Sequence, residues 1–446
     1  MPRLLISLIY NLLLPVVLFL GLPAFLIKGI RRGGLARNFR QRLGYFSAET
    51  LARFRDREPI WIHAVSVGEI FIALKLIEAI RAAASGQHIV LSTTTTTGYR
   101  VAVEKESDFL TVIHNPVDLP WITSRVIRLI RPSCMVLVEA EIWPNLVAQL
   151  KNRGTPVLLI NARLSPRSEK RYLQFRPLIE PIFSLLDGAT VPFEVDRDRW
   201  SRLGIRRENI VVTGSVKFDH IGDSRLVEQQ CAELDQWLTE TGMPDRRRIL
   251  LGGSTHDGEE LLIAQIAESL RSEVPDLKLV LVPRHAERGA TIASQLEEAG
   301  FAPILRAGPE RVSSDTQEGT VPREKVWIAN TTGELRSWFH LAEVVVIGKS
   351  FYGGGGQNPV EPILAGKPVV VGPRMENFAD VVQDLLAVSG IVQVGEKPAL
   401  GTAVAELFRD PGAALGMAGR GAAAMARHDG AAQRNAAYIL SKFEER

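Results

Sequence analysis

Two glutamate-bearing stretches and one lysine carry the clearest chemistry in the first half of the chain. HAVSVGEI places Glu69 where an apolar run gives way to a helical pattern, and a carboxylate there can take a proton from an attacking hydroxyl. The same glutamate can instead complement the dipole of the helix it begins, and the motif alone favours that plainer role. VEAEIWPN sets Glu139 and Glu141 directly behind an apolar strand and ahead of Trp143 and Pro144, which should start the next helix. Paired carboxylates at a strand end fit hydroxyl chemistry, although Glu141 can equally accept backbone N–H groups where the helix begins. Lys217 in GSVKFD follows the apolar run NIVVTGSV, a position from which an ammonium can meet a phosphate or carboxylate.

In the second half the residue types change to those that hold anions and sugars. LVPRH ends a strand pattern in Arg284 and His285; a guanidinium there favours phosphate or carboxylate, while His285 can serve as a helix cap. NTTGEL opens a helix at Gly333, whose free N–H groups form an anion site, with Asn330 and Thr331 as alternative caps. GKSFYGGGGQNPVEPILAGKPVVVGP puts four glycines before Asn358 and Pro359, the proline fitting a first helical turn. Glycines let a backbone approach a ligand closely, and Glu361, one turn on, can accept hydrogen bonds from ribose hydroxyls. The spacing excludes a P-loop. A glycine run alone is weak evidence, but a nucleotide's phosphate and ribose need these two features side by side.

Such residues need strand ends to hold them. Apolar runs alternate with helical patterns at 59–66, 88–95, 110–115, 134–140 and 156–162, and again at 248–254, 277–285, 325–330, 344–350 and 368–373. This is the signature of βαβ units and parallel sheets. The fold class is therefore α/β, with two Rossmann-like doubly wound domains whose ligand crevices lie outside the strand carboxyl ends. Facing crevices would form one cleft. A polar helical stretch closed by Gly-Met-Pro separates the two series and reads as a hinge. The expected organisation is an anchor helix at 4–27, a first domain at 35–221, a hinge at 222–245 and a second domain at 246–446. The second domain ends in an Ala-rich helical tail, expected to pack across the back of one or both domains.

At 446 residues the chain exceeds what one core supports. Its net charge of +3 is too small for nucleic acid to be the main partner. Cys134 and Cys231 are its only cysteines and form no CxxC pair, so neither a zinc cage nor a disulfide framework is suggested, and a reducing cytosol fits this usage. Leu4 to Ile27 carries no charged residue and is long enough to cross a hydrocarbon layer of roughly 30 Å. Lys28, Arg31, Arg32, Arg37, Arg40 and Arg42 follow it against Arg3 before it, which keeps the body cytoplasmic. A cleaved signal peptide fits less well, and a helix lying in the membrane interface leaves the same cytoplasmic body.

In order, the basic N-terminal segment, SVGE, VEAEIWPN, GSVKFD, VPRH, TGEL and GGGGQNPVEP resemble the 3-deoxy-D-manno-octulosonic acid (Kdo) transferases of lipopolysaccharide assembly, over nearly the whole chain. The resemblance implies the GT-B fold and inverting transfer of Kdo from CMP-Kdo to a lipid A precursor at the inner membrane. No metal and no cofactor beyond the donor are implied. Glu69 resembles the family's proton acceptor, and Glu139 and Lys217 resemble its transition-state stabilisers. The family's CMP contacts fall on Pro283 and Arg284, on Thr332, Gly333 and Glu334, and on Asn358, Pro359, Val360 and Glu361. Gln357 stands where a histidine is expected; it can donate a hydrogen bond but cannot become a cation. The rival readings are a GT-B transferase using a UDP-sugar and a sugar-binding or epimerase-like module. Glu69 and Glu139 together speak against a pure binder.

Overall fold

The computed structural model describes residues 3–32, 35–55, 57–164, 166–219, 224–308 and 324–444. The chain divides into two compact units, Met1–Ile221 with His428–Arg446, and Gly222–Arg427. The first unit holds seven parallel strands: β1 (Ile60–His63), β2 (Ile89–Thr93), β3 (Leu110–His114), β4 (Cys134–Val138), β5 (Val157–Ile160), β6 (Gly188–Val191) and β7 (Ile210–Val212). Their order is β3-β2-β1-β4-β5-β6-β7. β1 to β6 are buried at every position, because helices cover both faces of a parallel sheet. Hence IWIH and CMVLV show no polar alternation: Trp61 and Met135 pack into one layer, Ile60 and Val136 into the other.

The second unit repeats the plan with β8 (Arg248–Thr255), β9 (Leu277–Pro283), β10 (Ala302–Leu305), β11 (Lys325–Ile328), β12 (Val344–Ile347), β13 (Val369–Val371) and β14 (Val392–Gln393), in the order β10-β11-β9-β8-β12-β13-β14. Each sheet reverses direction of growth once, between β1 and β4 and between β8 and β12. A doubly wound sheet opens its ligand crevice at such a switch point.

Three expected boundaries change. The hinge at 222–245 contains a helix, Ser224–Glu240, that belongs to the second unit's body. Leu234 and Leu238 are fully buried, Trp237 meets Trp338 edge-on at 6.1 Å, and Ser337 donates to Gln230 at 2.8 Å. The tail is split between the units. Helix Ala431–Glu444 lies along Val67–Ala83, where Ala431, Ala432, Ala436 and Ile439 share a core with Ile70 and Ala73; alanines permit that close approach.

The third change concerns the anchor. Arg3–Arg32 is one helix, but among the described residues no helix is long and apolar enough to cross a membrane, so the spanning helix expected at 4–27 is not found. The side chains of 21–38 lie outside the described residues. The helix's first turns are seated on the first unit. Tyr10 donates to Asp118 at 2.9 Å, and Asn11 and Asn145 exchange amide hydrogen bonds of 3.1 and 2.8 Å. Leu8, Leu12, Val16 and Phe19 stay exposed, Phe19 at 75%.

Candidate active site

Glu69 sits one turn into the helix Val67–Ala83, which begins after β1 through the turn Ala64 to Ser66. Ser66 caps the helix by accepting from the Glu69 N–H at 3.2 Å. In return the Glu69 carboxylate accepts from the Val65 N–H at 2.8 Å and the Ser66 N–H at 3.3 Å, completing a capping box. The Val65 carbonyl is held from β2, by the hydroxyls of Thr93 at 3.3 Å and Thr95 at 2.9 Å. Gly98 is required beneath, since a Cβ there would lie 2.8 Å from the Thr95 hydroxyl. Of the two roles open to Glu69 in the sequence, the geometry displays the capping one. Its carboxylate caps the helix, stays only 9% exposed, and retains lone pairs for a further donor.

Glu139 follows β4, the strand beside β1 at the switch point. Its φ of 62° is left-handed, a conformation that costs about 1–3 kcal/mol for such a residue and clusters at functional sites. Burial and then the charge of Glu69 raise the pKa of Glu139, while Lys217 and Arg163 pull it down. Burial and Glu69 likewise raise that of Glu141. Glu139 thus shares one electrostatic neighbourhood with Glu69, Lys217 and Arg163, and Glu141 with Glu69.

Lys217 rides on a short 3-10 turn, Val216–Phe218, pinned from several directions. The Val216 N–H donates to Asn161 at 3.0 Å, and Lys75 donates to the carbonyls of Asp219 at 2.8 Å and Val216 at 3.3 Å. The returning C-terminal segment adds His428, which accepts from the Ser215 N–H at 3.1 Å. The backbone is fixed while the Lys217 side chain remains exposed.

His63, at the end of β1, was not foreseen. Its Nε2 accepts from the Trp143 indole N–H at 3.1 Å, and its Nδ1 lies 3.0 Å from the Ser92 hydroxyl. Burial pushes its pKa down to about 4, against an opposing bond to the Ser92 backbone, so the ring is neutral and locks Trp143 beside the glutamates. The only sequence trace is a histidine closing an apolar strand.

In the second unit, β8 leads through His256 to Gly258 into the helix Glu259–Ser269. Glu259, also not foreseen, is completely buried. One carboxylate oxygen accepts from the N–H groups of His256 at 2.9 Å and Lys349 at 2.6 Å; the other takes those of Ser350 and Phe351, both at 3.0 Å. This clamps the loop after β12 onto the end of β8. Gly348 allows the contact, since a Cβ there would fall 2.4 Å from the Ser254 carbonyl.

The glycine run divides in two. Gly355 and Gly356 have φ of 99° and 69°, and a Cβ on either would strike Asn377 or Met375 at 2.3 Å. Gly354 has room for a Cβ, and one on Gly353 would meet only the Lys349 side chain, at 3.1 Å. Gln357 donates its amide to His256 Nε2 at 3.2 Å, and His256 faces His285 edge-on at 5.9 Å. Burial lowers the pKa of His256; Glu259 opposes this, and Lys349, His285 and Arg288 add to it.

The remaining predicted residues fall unevenly. Pro283 is buried at the end of β9, and Arg284 is exposed, its N–H bonded to the Thr255 carbonyl at 3.0 Å. Thr332 and Gly333 are exposed after β11, but the helix begins at Leu335 rather than at Gly333. The Glu334 carboxylate is committed to Arg306, with contacts of 2.9 and 2.8 Å. Against the cost of burial, Arg306 and the Thr331 hydroxyl hold its pKa below the usual range. Just ahead of the helix Val360–Leu364, Asn358 accepts from the Val360 N–H at 3.0 Å and donates to Glu361 at 2.8 Å. Pro359 is the residue before that helix rather than in its first turn. Val360 is buried, whereas Glu361 is exposed. A cavity of about 760 Å³ in the first unit, lined by Arg40, Tyr45, Arg53 and Tyr99, does not include Glu69, Glu139 or Lys217.

Comparison with known proteins adds a family. Residues 37–220 match the model of the 3-deoxy-D-manno-octulosonic-acid transferase (kdotransferase) family. The 3-deoxy-D-manno-octulosonic acid transferase of Bordetella pertussis is 31% identical over 84% of this chain and 85% of its own length. That of Haemophilus influenzae is 30% identical over 76% of each. Among solved structures, a UDP-GlcNAc 2-epimerase from Neisseria meningitidis bound to UDP-GlcNAc aligns over 86% of this chain and all of its own, with a TM-score of 0.56 and 12% identity. At that identity the likeness shows the fold alone: two Rossmann-like domains of the GT-B kind.

Proposed function

Because the chain belongs to the 3-deoxy-D-manno-octulosonic acid transferase family, we propose that this Kdo transferase takes Kdo from CMP-Kdo and adds it to a hydroxyl of a lipid A precursor. The carrying observation is the cluster of Glu69, Glu139 and Glu141 with Lys217 and Arg163 at the switch point of the first sheet. Glu69 accepts the proton of the acceptor hydroxyl. The oxygen forms its bond to the Kdo anomeric carbon as the bond to the CMP phosphate breaks, so the centre inverts. Lys217 and Glu139 stabilise that transition state. The departing phosphate is met by positive charge, chiefly Arg284, and the reaction needs no metal.

The rest of the donor site is assigned to Pro283, to Thr332, Gly333 and Glu334, and to Asn358, Pro359, Val360 and Glu361. Glu334 acts through the loop it ties to Arg306, and Glu361 accepts from ribose. The exposed apolar residues Leu8, Leu12, Val16 and Phe19 bed in the headgroup region of the cytoplasmic leaflet, where the lipid acceptor resides. Its seating on Asp118 and Asn145 supports this interfacial placement.

Purified protein incubated with CMP-Kdo and a lipid A precursor should release CMP only when both are present. No release, or turnover with a UDP-sugar instead, would defeat the donor assignment.

A further inference from the structure

Lys349 is a non-glycine residue in a glycine-rich loop with φ of 58°. A glycine would adopt that conformation without strain, so packing alone gives no reason for a lysine. Its backbone is fixed on both sides. The N–H donates to buried Glu259 at 2.6 Å, and the carbonyl accepts from the Gly356 N–H at 3.1 Å. The aliphatic stem passes over Gly353, where a Cβ would stand 3.1 Å from Lys349 Cγ. Gly353 thus provides the space the lysine uses.

The ammonium is left with no counter-ion. Among the described residues it makes no hydrogen bond or ion pair. Glu259 is engaged by four backbone N–H groups, and Glu376 is taken by Arg374 and the Gly355 N–H. The neighbouring His256 receives a hydrogen bond on Nε2 from Gln357 and adds no charge in that state. Arg288 is paired with Glu260 and Asp257. A half-buried cation is therefore held at the carboxyl end of β12, beside β8, where this type of sheet receives its ligand. An ammonium on a flexible stem suits a compact anionic oxygen group.

We propose that Lys349 grips an anionic group of the donor nucleotide sugar, either the phosphate or the sugar acid's carboxylate. Lys349 then supplies the charge that Gln357 cannot. This inference rests on the donor reading above.

The test uses the full-length protein with Lys349→Met and Lys349→Gly. Both variants should raise the KM for CMP-Kdo by about tenfold or more, with kcat little changed. The glycine variant, free of the left-handed strain, should unfold at a temperature no lower than wild type. CMP affinity, measured by titration calorimetry, separates the two sources. A parallel loss assigns the contact to the phosphate; retained CMP affinity with a raised CMP-Kdo KM assigns it to the carboxylate. Unchanged KM and CMP affinity in Lys349→Met would overturn the proposal, as would an effect that appears only together with loss of folded protein. Wild-type protein that neither binds CMP nor turns over CMP-Kdo would overturn the donor reading itself, and this inference with it.

Discussion

Replacing Glu259 by Gln changes almost nothing in shape and removes half of a four-membered hydrogen-bond set. The carboxylate takes His256 and Lys349 on one oxygen, Ser350 and Phe351 on the other. A glutamine keeps one acceptor oxygen and turns an NH2 group toward the other pair, so whichever way the amide rotates, two N–H groups lose their partner. Bonds to a charged acceptor are each worth about 1.5–3 kcal/mol, which makes the loss about 3–6 kcal/mol before any relief from removing a buried charge. Because a two-unit chain need not unfold in one step, hydrogen exchange at the amides of 349–351 is the cleaner assay, with CMP titration beside it. Those amides should exchange at least a hundredfold faster in the variant, and CMP affinity should fall more than tenfold. Protection within a factor of three of wild type, together with normal CMP binding, would refute the idea that Glu259 holds the loop.

Two further outcomes concern the first unit. Burial and Glu69 raise the Glu139 pKa, so the folded protein retains a proton that the unfolded chain releases. The associated stability is present below the ordinary carboxylate pKa and is lost as pH rises through the raised one. Glu139→Gln should accordingly slow transfer yet gain on wild type in thermal stability as pH rises; a pH-independent offset between the two melting curves would contradict this. His63 has the opposite sign. With its pKa pushed down to about 4 from 6.5, the unfolded chain binds the proton first, and stability present above pH 6.5 drains away toward pH 4. The shift corresponds to about 3 kcal/mol, so His63→Gln should flatten the acid limb of a denaturation series over that window, and an unaltered limb would show that this ring does not set it.

The two sheets were legible because a parallel strand covered on both faces is an unbroken apolar run, as in CMVLV and VVVI. β6, β10 and β14 were missed because GATV, APIL and VQ interrupt the apolar run with glycine, threonine, proline or glutamine, and β7 because it is the sheet's edge strand, exposed at Val211 and Val212. Ser224–Glu240 looked like a linker from its polar residues, yet Leu234, Trp237 and Leu238 form a stripe that buries against Trp338, and such a face declares itself only when its partner is known. The glutamates after β1 and β4 stood out because carboxylates behind buried strands are unusual. Glu259 did not, since an acidic pair opening a helix is ordinary and only complete burial reveals its role. Lys349, Asn161 and His428 act through backbone geometry or through segments far away in sequence, and neither leaves a local motif.

If the Glu69 carboxylate accepts the proton of the acceptor hydroxyl, Glu69→Gln removes that base with least disturbance, since the amide oxygen can still take one of the two capping N–H groups. With CMP-Kdo and lipid acceptor both saturating, kcat should fall by about 10²–10⁴ while CMP affinity stays within about twofold of wild type. A variant that transfers Kdo at close to the wild-type rate would rule out Glu69 as the base.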